Sequence, residues 1–130
     1  MNLRELKEYI FEIYSVEPDH PFAMDDVSCV FRHGDNRKWF ALTMYIPYRT
    51  LGMSGDGNVD ILNVKCDPLL TGSLREKNGF RPAYHMNKDK WITILLDGSA
   101  DDGDILSLLA MSYDLTANRV KRRKKRKTGI

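Results

Sequence analysis

Leu3, Leu6, Ile10 and Ile13 recur every three to four residues, the spacing that gathers side chains on one face of a helix. Asn2 stands ahead of them and Glu5 follows three residues later, the pattern of a capping box, so a helix is predicted to about Tyr14. Pro18 and Pro21 then force a non-helical connection that carries Asp19, His20, Asp25 and Asp26.

Beyond that connection the hydrophobic period changes to two. Strands are predicted over 28–33 and 38–47, with Gly34, Asp35 and Asn36 making the turn. In the second strand Phe40, Leu42, Met44 and Ile46 share one face, the candidate core face. Trp39, Ala41, Thr43 and Tyr45 share the other, and two aromatics there suggest cover by the following loop or by a protein partner. A glycine-rich loop over 48–58 leads to a third strand over 59–66, with Leu62, Val64 and Cys66 on one face.

Asp67 and Pro68 start a second helix, since Asp accepts from first-turn amides and Pro is preformed for the first helical position. Asn78 and Gly79 end it. Strands over 80–86 and 91–97 follow, joined by a tight turn at 87–90. Asp101, Asp102 and Asp104 then crowd the start of a third helix, whose stripe is Ile105, Leu108, Leu109, Ser112 and Leu115. The order α-β-β-β-α-β-β-α with short connections predicts an α+β two-layer sandwich: an antiparallel sheet of about five strands with helices on one face. Phe40, Leu42, Met44, Ile46, Leu62, Val64, Ile94 and Leu109 are expected in one core.

A chain of 130 residues, 42% hydrophobic, is large enough for one domain with a core that needs no staples. No apolar run reaches the roughly 20 residues of a membrane span, and the first residues alternate in charge, so a cytoplasmic protein is expected. Cys29 and Cys66, far apart and outside any Cys-x-x-Cys motif, read as small buried hydrophobes.

The net charge of +2 hides an asymmetry. Eight of the 20 basic residues (Arg119, Lys121, Arg122, Arg123, Lys124, Lys125, Arg126 and Lys127) fall in the tail and none of the 18 acids does, leaving residues 1–118 at 12 against 18, net −6. The expected organisation is a domain over 1–118 and a basic, flexible tail over 119–130.

The stretch FRPAYHMNKDKWITILLDGS (80–99), with VKCDPLLTGSLREK (64–77) upstream and ILSLLAMSYDL (105–115) downstream, resembles the MmcQ/YjbR family of small bacterial proteins. The resemblance implies a CyaY-like, double-wing fold and, by analogy of that fold, DNA binding. It implies no catalytic residues.

The residues themselves exclude several chemistries. A phosphate loop needs a helix directly after its glycines, whereas a strand follows Gly52, Gly55 and Gly57. Ser54 lacks the second glycine of a nucleophile elbow, since position 56 is Asp56. Asp56, Asn58, Asp60 and Asp67 approach calcium-loop spacing, but Ile61 stands where that loop needs glycine. Cys29 and His33 on one strand would lie about 13 Å apart, too far to share a zinc unless His20, His85 or Cys66 joined one of them. The acids of the third helix crowd a single turn, which capping explains.

The sharper candidate is the turn from Tyr84 to Trp91. In its structural reading Asn87 caps a helical turn and Lys88 and Lys90 are solvated. In its functional reading Arg81, His85, Asn87, Lys88 and Lys90 form a donor-rich edge for phosphates. His85 has no acid–base partner visible in the sequence, so no enzyme, cofactor or metal is expected. The tail could draw polyanions without sequence preference, solvate the chain end, touch ribosomal RNA or an anionic membrane surface, or fold back on the acidic body. The leading expectation is a DNA- or RNA-binding protein acting through electrostatic contact. Its rival is a protein-interaction or small-ligand module using the Trp39/Tyr45 face or the 48–58 loop.

Overall fold

The computed structural model describes residues 1–22, 25 and 27–118. Helix α1 spans Leu3–Tyr14 and carries the expected capping box: the Asn2 side chain accepts from the Glu5 amide while the Glu5 carboxylate accepts from the Asn2 amide. Strands β1 (Cys29–Arg32) and β2 (Trp39–Pro47) form a hairpin, and a 3₁₀ turn (Tyr48–Leu51) leads to β3 (Asn58–Lys65). Helix α2 (Pro68–Leu74), β4 (Phe80–Pro82), β5 (Trp91–Leu95) and α3 (Asp102–Thr116) complete the order. The five strands lie in the sequence β1-β2-β3-β5-β4, all pairs antiparallel, with the helices on one face. The fold is thus the α+β two-layer sandwich expected.

The core differs from the expectation in one instructive respect. Phe31 pairs with Ala41 but Arg32 pairs with Trp39, so Phe40 is an extra residue, a β-bulge. The bulge turns Phe40 and Ala41 together toward the helices, both fully buried, with Phe40 ringed by Tyr14, His33 and Tyr113. Past the bulge the alternation is inverted. Ala41 and Thr43 face the helices with Val64, Leu62, Ile92 and Ile94, whereas Leu42, Met44 and Ile46 face the other side.

The expected single core is therefore two. The larger lies under α1 and α3 and holds Phe40, Leu62, Val64, Ile94 and Leu109; the smaller joins Ile46, Val59, Ile61 and Leu95 under Leu51 of the 3₁₀ turn, with Met44, Tyr48 and Tyr84 at its edge. The same inversion separates Trp39 from Tyr45, expected on one face. Trp39 sits on the far face beside Arg32 and Phe22, and Tyr45, about half exposed, pairs with Asp60 on the helix side.

Helix α3 answers for the bulge. The Ser112 hydroxyl donates to the Phe40 carbonyl at 2.6 Å and accepts from the Lys65 amide at 2.8 Å, so two main-chain groups without ladder partners are satisfied by one buried side chain.

Candidate functional site

Strand β4 ends at Pro82 instead of continuing to 86, because proline has no amide to donate to β5. The chain from 83 to 90 is freed into a turn, and two buried polar residues of the sheet hold it down. Asn63 donates from its amide to the Tyr84 carbonyl at 3.1 Å, the Thr93 hydroxyl accepts from the Tyr84 amide at 2.9 Å, and Thr93 itself donates to Asn63. Neither side chain is exposed at all, and neither is an apolar strand residue. At the far end of the turn the Asn87 carboxamide accepts from the amides of Asp89 (2.9 Å) and Lys90 (3.2 Å), the structural role expected of it.

Between this turn and the 3₁₀ turn lies a cleft of about 340 Å³ lined by Thr50, Leu51, Arg81, Tyr84, His85 and Lys88 among others. Arg81 donates from Nε (3.1 Å) and Nη2 (2.6 Å) to the Leu51 carbonyl. The close seat is made possible by Gly52, where a Cβ would stand 3.3 Å from Nη2 and where φ is +72°. Lys88 donates to the Ala83 carbonyl at 2.9 Å. Both cations are thereby oriented by neutral carbonyls, and neither has a carboxylate ion-pair partner among the described residues. Arg81 uses two of its five donors this way and Lys88 one of its three, leaving the others for a ligand. His85 is exposed, adopts φ 56°, and stands edge to face with Tyr84, ring centroids 4.0 Å apart.

Of the expected candidates, the fold brings Arg81, His85 and Lys88 together. Asn87 builds the turn without lining the cleft, and Lys90 is exposed outside it. Arg75, at the end of α2, donates to the Lys88 carbonyl and adds a further cation behind the turn. The tail residues Arg119 and Lys121 through Lys127 lie outside the described residues. Asn63 and Thr93 escaped the sequence reading, while Thr50, Leu51 and Tyr84 fell inside the 48–58 loop and the 84–91 turn without being singled out. The 3₁₀ turn was legible in principle from Pro47 before it and Gly52 after it; the two polar residues gave no signal, because their role exists only across strands.

The strand positions on the sheet face away from the helices are not acidic. By register they include Arg32, Lys65 and Arg81 and no carboxylate, while Asp60 points to the helix side, near Lys7. A second cleft, of about 370 Å³, opens beside α1 and the β1–β2 hairpin. There Glu17, Asp19 and Asp35 outnumber Arg32 and Arg37, and Asp19 binds Arg32 at 3.0 Å and Arg37 at 3.4 Å. It is the weaker place for an anion.

The remaining candidates are absorbed by structure. Asp101 accepts from the Asp104 amide at 3.1 Å as the cap of α3, Asp102 meets the N-terminal ammonium at 2.7 Å, and Asp104 meets Lys77 at 2.7 Å. Cys29 contacts the Thr43 hydroxyl at 3.1 Å, and burial pushes the Cys66 thiol up from its ordinary range. His33 is buried against α3 with Nε2 at 2.8 Å from the Thr116 hydroxyl, and His20 reaches the Ser28 carbonyl. No group of three or more His, Cys, Asp or Glu side chains converges as a metal site among the described residues. No helix among them is long and apolar enough to cross a membrane.

A small helix-backed antiparallel sheet, with a cationic turn pinned at its edge by buried polar residues, is the class of protein these features define. Comparison with known proteins makes this specific: the family model described as YjbR matches residues 11–115, and the chain belongs to that family. It is 36% identical over 112 residues to the uncharacterised protein YyaQ of Bacillus subtilis, covering 86% of this chain and 95% of that one. It is 37% identical over 62 residues to the uncharacterised YjbR of Escherichia coli, covering 47% of this chain and 52% of that one. A crystal structure of a Pseudomonas syringae protein superposes with a TM-score of 0.88 at 46% identity, over 90% of this chain and all (100%) of that one. A Deinococcus radiodurans protein of domain family DUF419 superposes with a TM-score of 0.69 at 25% identity, over 95% and 86% of the two chains.

Proposed function

We propose that this protein binds DNA or RNA chiefly through the phosphates, at the cleft of Arg81, His85 and Lys88, with the basic tail adding non-specific attraction. The observation that carries the reading is the anchoring of two cations on backbone carbonyls, without carboxylate partners among the described residues. Such groups are fixed in direction before any ligand arrives and keep their charge for it, as positioning contacts to phosphate require. Lys65 and Arg81, strand positions of the far face without carboxylate partners among the described residues, support the same side of the sheet, despite the net −6 of residues 1–118.

The protein-interaction rival loses its shared Trp39/Tyr45 face to the bulge. A small anionic ligand is favoured by a different observation, the cleft volume of about 340 Å³, which is the size class of single-ligand pockets.

Fluorescence anisotropy on labelled DNA across a salt series separates these readings. With about six phosphates neutralised, the log–log slope is expected near −5, roughly a thousandfold loss of affinity from 50 to 200 mM salt. Deleting residues 119–130 should remove most of the slope, and the pair Lys88→Ala and Lys90→Ala should remove about one unit, since only Lys88 lines the cleft. Absence of binding to DNA and RNA even at low salt would overturn the reading and leave the small-ligand alternative.

A further inference from the structure

The cleft holds an aromatic pair beside its cations, and this combination bears on which form of nucleic acid it takes. Tyr84 is half-buried against the smaller core and its backbone is fixed at both amide and carbonyl by Thr93 and Asn63. His85 stands beside it, exposed, at an interplanar angle of 67°. An isolated exposed histidine would be an ordinary surface residue; one set on a pinned tyrosine, between Arg81 and Lys88, is held as a platform.

Resting on the nucleic-acid reading above, we infer that the cleft is a single-strand site: one unpaired nucleotide lays its base on the exposed His85 ring, which Tyr84 backs edge to face, while Arg81 and Lys88 hold the adjoining phosphate. In a duplex both faces of each base are covered by its neighbours, so an aromatic platform gains nothing from it. Single strands offer uncovered faces, and cationic grooves with stacking aromatics are the general solution to binding them. Size and charge agree. A cleft of about 340 Å³ suits one residue of a flexible strand. A stiff duplex would have to bring its dense charge against a body of net −6, whereas a single strand can bend into the cleft alone.

The test uses the full chain and two labelled probes of one length, a mixed-sequence single strand and its duplex, read by anisotropy. His85→Asn removes the ring yet keeps a residue that tolerates the left-handed backbone found there. It is expected to lower single-strand affinity about tenfold and duplex affinity by clearly less, since only an unpaired base can use the ring. A single strand carrying 2-aminopurine should change in fluorescence on binding the wild type, and less on binding His85→Asn. Equal losses for both probes, or no loss for the single strand and no change in 2-aminopurine, would overturn the single-strand assignment while leaving phosphate binding in place. Failure of both probes to bind the wild type would instead sink the nucleic-acid reading itself.

Discussion

The Ser112 hydroxyl and the Phe40 carbonyl are joined at 2.6 Å, and the same oxygen takes the Lys65 amide at 2.8 Å, tying α3 to the bulge that divides the sheet into two buried faces. Ser112→Ala would leave both main-chain groups buried without a partner. A loss of about 1–3 kcal/mol is expected in urea unfolding. A loss under about 0.5 kcal/mol would show that the bulge does not depend on this contact.

Leu109, fully buried in the larger core, tests where α3 packs. Leu109→Ala should cost about 2–5 kcal/mol through lost transfer energy and the cavity left behind. Leu69, 88% exposed on α2, serves as the control, since its replacement by alanine is expected to stay within about 0.5 kcal/mol.

How far the fold was legible in the sequence turns on the same bulge. Helix starts were readable because their signals are local: Asn2 with Glu5, Asp67 with Pro68, and Asp101 each cap where the sequence placed a cap, whereas the second helix, expected to run to Asn78 and Gly79, ends at Leu74, after which the Glu76 and Lys77 amides bond only three residues back. The face of β3 was readable too, but those of β2 were not, because strict alternation through Trp39–Pro47 assumes that no residue is inserted, and the insertion at Phe40 is held by α3, far away in the chain. The site divided in the same way. Arg81, His85 and Lys88 were visible as donors near one turn, but Leu51, which seats Arg81, and Asn63 and Thr93, which pin the Tyr84 backbone, come from other elements, and Asn63 and Thr93 break the apolar pattern that a strand follows.

Asn63 links the sheet to the site. Asn63→Ala should cost stability and loosen the 83–90 turn, since the Tyr84 carbonyl and the Thr93 hydroxyl both lose a partner. Hydrogen exchange followed by mass spectrometry should show faster labelling across 83–90, with α1 unchanged once exchange is compared under strongly native conditions. Unchanged labelling in the turn would mean that other contacts hold it.

Asp97 sets an acid limit on the 3₁₀ turn. Burial acts to raise its pKa, but hydrogen bonds from the Ser99 hydroxyl and amide and from the Tyr48 hydroxyl outweigh it, and the carboxyl is held below its ordinary range. A group depressed in the folded state contributes stability above its unfolded pKa, about 3.9, and that contribution is lost as pH falls through the folded value. Asp97→Asn should therefore reduce stability at neutral pH and flatten its fall below about pH 5. An equal drop with acid in both proteins would assign the acid sensitivity elsewhere.

The location of the ligand is the centre of the account, and amide chemical-shift mapping reads it directly. Titrating the ¹⁵N-labelled full chain with a short single-stranded oligonucleotide should move the amides of 81–90 and 50–52 most, together with those of the basic tail. Shifts confined to the tail, or centred on α1, α3 and the cleft around Asp19, would contradict it.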